Sequence, residues 1–183
     1  MTEIINYLRD FINDNGKRQT LVFTYENIDR IPLSLEVKEI ISVTANGNII
    51  GYSLESNVLV ILDSALTEGD IIVVDLRYYR YSDEELKGYI RQSLYYLTIN
   101  GYKDYTINGD NIEPELSTNE KYLAADIASI LILENYTTKR LPNGITISYP
   151  KNKSKRQIIE DLIYMFKGNP DYYTVMNVEK LSE

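Results

Sequence analysis

The residue types that most often carry catalysis are missing from this chain, and that bounds its chemistry first. Its 183 residues contain no histidine and no cysteine. Disulfides, zinc fingers, thiol nucleophiles and imidazole bases are therefore excluded by inventory. A reaction would have to rest on Asp, Glu, Lys, Tyr, Ser or Thr. The acidic run Asp83-Glu84-Glu85 could hold a metal or supply an acid and a base. Carboxylates in a first helical turn are also what the helix dipole favours, and with Ser82 in front the run has the form of a helix cap, which is the stronger reading. Asp110-Asn111-Ile112-Glu113 with Glu115 is acidic like a calcium loop, but lacks the spaced ligands and terminal bidentate Glu of an EF-hand. Lys151, Lys153, Lys155 and Arg156 could touch phosphates or an acidic partner, although such a run commonly makes a solvated helix start. No glycine-rich phosphate loop accompanies them, because Asn108-Gly109 and Asn143-Gly144 are isolated turn signals. Tyr78, Tyr79, Arg80 and Tyr81 form an aromatic and cationic cluster suited to a protein interface. β-Propensity alone would also place tyrosines on a half-buried strand; the two readings balance, with sugar stacking behind both. No active site emerges, and neither a cofactor nor a resident metal is expected.

Composition narrows the class further. An apolar fraction of 44% and a charged fraction of 25% are those of a folded globular chain rather than a disordered one. The formal net charge of −8 disfavours broad attraction to a phosphate backbone, but suits a surface past which DNA slides without sticking. The apolar run Ile130-Leu131-Ile132-Leu133 falls far short of the roughly 18 residues needed to cross a bilayer. Met1-Thr2-Glu3 has neither the basic region nor the apolar core of a secretion signal. No membrane partner is expected.

The elements that must position these residues change rhythm at Ser82. Residues 2–13 read as a first helix, with Ile4, Ile5, Leu8, Phe11 and Ile12 on one face and Asn15-Gly16 beyond its end. Upstream of Tyr81 the apolar residues then come in short strand-like runs. Gln19–Tyr25, Glu39–Thr44, Ile49–Leu54, Asn57–Leu62 and Ile71–Tyr81 are five such strands, with a turn-like stretch through Pro32. Asn46-Gly47 is a strong hairpin signal. In the last run Ile72, Val74, Leu76 and Tyr78 alternate with Asp75 and Arg77, so one face is apolar. From Ser82 the spacing turns helical: Leu86, Ile90, Leu94 and Leu97 form one stripe, closed by Asn100-Gly101. Tyr102–Leu116 reads as irregular. Ser117-Thr118-Asn119-Glu120 is a capping pattern opening a helix apolar on most sides, which must be buried in a bundle or an oligomer. Leu141-Pro142-Asn143-Gly144 reads as a turn before a short strand of Ile145, Ile147 and Tyr149. Ser154 and Gln157 cap a last helix with Ile158, Ile159, Leu162, Ile163 and Phe166 inward, ending at Gly168.

The expected class is α+β: a bundle of about four helices, with a five-stranded sandwich or barrel-like module inserted after the first helix. Residues 1–17 and 82–168 would form the helical domain, 18–81 the β module and 169–183 a docking tail. Tyr172, Tyr173, Val175 and Met176 make that aperiodic tail sticky, so it is expected to order on a partner.

The helical part resembles a known family. Tyr81-Ser82-Asp83-Glu84-Glu85-Leu86 opens a helix, followed by Tyr105-Thr106-Ile107 and Ile112-Glu113-Pro114. Ser117–Glu120 then opens an alanine-rich helix, Ile145-Thr146-Ile147 forms a strand, and a last helix ends at Gly168. This order resembles the head–tail connector (adaptor, or neck) proteins of tailed bacteriophages over about residues 1–13 and 81–183, with the β module as a departure from the small all-helical pattern. The resemblance implies a structural virion protein made in the host cytoplasm and placed in the neck between capsid and tail. Its implied partners are the portal protein, a tail or second neck protein, other copies of itself in a ring of usually twelve, and genomic DNA passing through the lumen without specific binding. Tyr79, Tyr81, Tyr172, Tyr173, Val175 and Met176 are the residues expected at interfaces. The alternative is a virion binding module, with the β part recognising a tail, capsid or glycan ligand. A metal-dependent enzyme resting on Asp and Glu alone ranks third.

Overall fold

In chain order the elements of the computed structural model are α1 (Thr2–Phe11), β1 (Lys17–Thr24), β2 (Arg30–Pro32), β3 (Glu36–Ala45), β4 (Asn48–Ile49), β5 (Tyr52–Glu55), β6 (Val58–Ile61), β7 (Ile71–Tyr79), α2 (Asp83–Ile99), β8 (Thr106–Asn108), β9 (Asn111–Glu113), α3 (Thr118–Ile132), β10 (Thr138–Arg140), β11 (Thr146–Ser148) and α4 (Lys155–Gly168). The structure describes residues 1–62, 65–133, 138–140, 146–148 and 153–173. The expected turn at Leu141–Gly144, the strand residues Ile145 and Tyr149, and the cation Lys151 lie outside them. The chain divides into two units, Met1–Asp14 with Asp83–Glu183 and, between those segments, Asn15–Ser82.

In the helical unit the apolar stripes become the core. Ile4, Ile5, Leu8 and Phe11 of α1, Leu86, Ile90, Leu94 and Leu97 of α2, and Ile158, Ile159, Leu162, Ile163 and Phe166 of α4 are all buried. α3 is the hub, packing against α1, α2 and α4. Leu123, Ala124, Ala125, Ile127 and Ala128 are fully covered, so the most apolar helix is enclosed by its own subunit. The capping boxes expected at Ser117 and Ser154 form. The Ser117 and Ser154 side chains accept from the backbones of Glu120 and Gln157, whose side chains reach back to the cap N–H groups. The stretch expected to be irregular contains the hairpin β8–β9, in which Asn108 pairs with Asn111. It turns through Gly109 at φ +62°, a conformation that costs glycine little.

The class is α+β, with four helices among the described residues, but the β unit is not the five-stranded module expected from the sequence. Among its described residues seven strands form two sheets, in the orders β1-β7-β3-β4 and β2-β6-β5. One missed strand, β2, ends in Pro32 and pairs with β6 over three residues. The run Ile49–Leu54 breaks at Ile50-Gly51 into β4 and β5, which belong to different sheets. Strands this short give too little alternation to register as a pattern. The hairpin β3–β4 turns on Asn46 and Gly47 at φ +48° and +85°, the pair of positive values that a type I′ turn requires. Both sheets share one core: Val43, Ile72, Val74 and Leu76 from the first meet Leu59 and Ile61 from the second.

Candidate interaction surfaces

Two chain segments leave the helical unit toward the β unit, and one arginine holds them. Arg9 on α1 is 5% exposed, carried inward by the stripe that buries Leu8. Its Nη1 donates to Asp14 Oδ2 and its Nη2 to Asp83 Oδ1, each at 2.7 Å. Asp14 ends the first segment of the unit and Asp83 begins the second. The planar guanidinium suits this double task, since its N–H donors are fixed in a fork. Asp83 is thus engaged by a cation, and Glu84 pairs with Lys87 at 2.8 Å. Two of the three acidic residues that open α2 are engaged by structural partners.

A second buried polar cluster surrounds Glu120 at the start of α3. Oε1 accepts from the Tyr102 hydroxyl at 2.8 Å and from Lys103 Nζ at 2.6 Å, while Oε2 accepts from the Ser117 N–H at 2.6 Å. Burial works to raise the Glu120 pKa, but the bonds from Lys103, Ser117 and Tyr102 outweigh it and hold the carboxyl below its ordinary value. Burial, together with the Glu120 carboxylate, pushes the Tyr102 hydroxyl up to about 12.

The two shifts have opposite pH signatures. The depressed Glu120 contributes stability that is complete above about pH 4.5, the ordinary glutamate value, and is lost as pH falls through the folded-state value. The raised Tyr102 contributes stability that is complete below its ordinary 10.0 and is lost as pH rises through about 12. Wild type is therefore expected to exceed Glu120→Gln in stability at neutral pH, with the gap narrowing on acidification. Urea midpoints of the two proteins across the acid range measure it. A gap unchanged with pH would show that the carboxylate is not linked to folding.

An aromatic chain runs through the same unit. The ring of Tyr122 on α3 stacks on Tyr7 of α1 at 4.0 Å and on Tyr173 at 5.8 Å. Tyr173 in turn lies 6.1 Å from Phe166 of α4. Tyr173 is 4% exposed, and its hydroxyl donates to the buried Asp126 at 3.0 Å. Tyr172 meets Tyr173 edge-on at 5.2 Å. The core of the helical unit thus reaches past α4 to Tyr173, inside the stretch expected to be a docking tail. No periodicity could signal this, because a single aromatic after a helix end has no repeat.

Of the other expected interface residues, Tyr79 and Tyr81 are half-buried. Each ring carries a cation over it: Lys38 Nζ at 5.6 Å from the Tyr79 centroid and Arg80 at 5.3 Å from that of Tyr81. Val175 and Met176 lie outside the described residues. The basic run near Ser154 is occupied locally, with Lys155 Nζ donating to the Leu131 carbonyl at 2.9 Å and Arg156 to Glu160 at 2.7 Å. Asp110, at the β8–β9 turn, pairs with Lys87 at 3.0 Å. Among the described residues, no group of three or more acidic side chains is placed to hold a metal ion.

Several exposed apolar side chains were not anticipated. On the helical unit, Tyr95 and Ile99 of α2 are 65% and 52% exposed, and Tyr164 of α4 is 80% exposed. On the β unit, Val22, Val73, Thr44 and Ile49 are paired successively across β1, β7, β3 and β4. This row lies on the face opposite the core, with Ile49 83% exposed. The same face carries the ion pairs Arg18–Asp75 and Arg77–Glu39 at its other end. Sequence spacing could have placed Val22 opposite Leu21 and Phe23, but not aligned it with residues from three other strands. Among the described residues, no helix is long and apolar enough to cross a membrane. No protein-family model matches this chain, and no curated protein matches it.

Proposed function

We propose that this chain is a non-enzymatic structural subunit of a tailed-phage neck, assembling as a ring between portal and tail. The observation that carries this is the surface of the helical unit. Its core is closed within one subunit, yet Tyr95, Ile99 and Tyr164 stand exposed on α2 and α4. Large aromatic and aliphatic side chains left exposed on a unit whose core is complete are available for contact with neighbouring copies, and tyrosine is enriched at such contacts. The order of capping patterns along the sequence, which resembles that of connector proteins, supports the same reading. The net charge of −8 favours a lumen that DNA passes without adhering. In this arrangement α2 and α4 face neighbouring copies, one end of the ring meets the portal, and the other meets a tail or second neck protein.

Imaging the neck of intact particles tests the proposal. Density for this chain as a closed ring under the portal is the expected result. A single asymmetric copy, or density at the tail tip alone, would sink the adaptor role. Either would favour the alternative in which the β unit is a binding module, for which its exposed Val22–Ile49 row is the supporting feature.

A further inference from the structure

The sheet β1-β7-β3-β4 has two edges of different character. On the β4 side the edge is blunted. β4 covers only Thr44 and Ala45, and β3 carries register shifts between Val37 and Glu39 and between Ile40 and Ser42. Shifts of this kind bend a strand and spoil it as a template. The Val37 N–H there is also taken by the Asn57 side chain at 3.0 Å. In the second sheet, the edge strand β2 ends in Pro32, which has no N–H to offer.

β1 has none of these protections. It pairs with β7 in unbroken register from Lys17 to Thr24, and among the described residues no further strand follows it in the sheet. The Tyr25 N–H donates to the Asp70 carbonyl at 2.8 Å, which sets the phase of the ladder. Backbone groups alternate sides along a strand, so Arg18, Thr20, Val22 and Thr24 present their N–H and C=O groups to the open edge. A cleft of about 410 Å³ opens beside it, lined by residues including Val22, Thr24, Ile28 and Arg30. Val22 is 64% exposed and Ile28 56%.

We propose that β1 is the contact through which two copies of this chain pair, edge to edge and antiparallel about a two-fold axis at Val22. The sequence is self-complementary in that register. Val22 meets Val22 of the partner subunit, Thr20 meets the partner's Thr24, and Arg18 meets the partner's Glu26. Arg18 uses Nε and Nη2 for Asp75 on its own sheet, leaving Nη1 for the incoming carboxylate. The basic start of β1, Lys17-Arg18, thus lies beside the acidic residue that follows its end. The row Ile49–Thr44–Val73–Val22 would continue through the axis into its mirror sequence, making one eight-stranded sheet with a continuous stripe of β-branched side chains.

Five facing residues per copy bury well under the roughly 800 Å² per partner of a standard interface. The pairing is therefore weak, exchanging and concentration-dependent. A single-layer cyclic ring uses heterologous contacts, whereas this one is isologous. It belongs to subunits outside a ring, where it covers an edge that would otherwise template aggregation. It stands independently of the neck assignment, and either can fail without the other.

Sedimentation of the full chain over a concentration series, with amide hydrogen exchange at low and high concentration, tests it. A monomer–dimer shift is expected, with the amides of Thr20, Val22 and Thr24 gaining about tenfold or more protection at high concentration. Val22→Lys places two ammonium groups at the axis and is expected to remain monomeric with an unchanged thermal midpoint. Glu26→Arg, in an exposed position, is expected to weaken the dimer by like-charge contact with Arg18. The exchange experiment uses wild type alone and so holds even if a variant folds poorly. A chain that stays monomeric to its solubility limit, exchange at those three amides that ignores concentration, or a dimer that survives both substitutions would each overturn the proposal.

Discussion

Replacing Arg9 by alanine is expected to destabilise the helical unit by about 3–5 kcal/mol, the cost of leaving one member of a buried ion pair alone. The Asp14 side chain is 4% exposed, so its carboxylate cannot turn to water when the guanidinium is removed. Asp83, at 52%, can. The loss therefore centres on Asp14 and on the end of α1, where the Asp14 N–H also donates to the Arg9 carbonyl at 2.8 Å. A thermal midpoint lower by on the order of 10 °C is the expected readout. Arg9→Lys should recover only part, because a single ammonium cannot fork to two carboxylates. Removing both buried charges together, as Arg9→Met with Asp14→Leu, should be milder than removing Arg9 alone. A double variant less stable than Arg9→Ala, or a single variant within about 1 kcal/mol of wild type, would refute the role given to this pair.

Leu8→Ala is expected to cost about 2–5 kcal/mol, the range for truncating a leucine in a closed core. Leu8 is 0% exposed, and α1 packs on both α3 and α2. A helix of ten residues does not persist by itself in water, so its anchoring side chains hold the element as well as the cavity. Amide exchange in α1 should therefore accelerate more than in α3. The β unit has its own core, with Val43, Leu59, Ile72, Val74 and Leu76 fully covered, and its protected amides should be unaffected. Equal loss of protection in both units would show that they unfold as one and that Leu8 supports more than the bundle.

Helices were legible where a stripe repeated and a cap announced it. The Leu86–Leu97 stripe became the buried face of α2, and the caps at Ser117 and Ser154 formed with the acid or amide three residues on. These are local effects, set by spacing of three and four along one segment. Strands were legible where an apolar run carried them, as for the short β6 and β11. β1, β3 and β7 were anticipated with shifted ends, whereas β2 and β4 contain three and two residues and owe their existence to partners elsewhere in the chain. The same limit hid the hairpin β8–β9, even though its Asn-Gly turn was visible.

The interaction residues follow the same division. The cluster at Glu120 needed Tyr102 and Lys103, which precede it by 18 and 17 residues, to converge on a position that the sequence identified only as a cap. The clamp of Arg9 joins positions 74 residues apart, and Tyr173 finds Asp126 across 47. By itself the sequence determined which chemistry is excluded, where helices begin, and which faces turn inward, because each depends on residue inventory or on periodicity within one element. Only the tertiary structure decided that the apolar α3 is satisfied inside one subunit, that the core extends to Tyr173, and that β1 is left as an open edge. Those outcomes depend on which segments become neighbours, and no spacing along a single element encodes that.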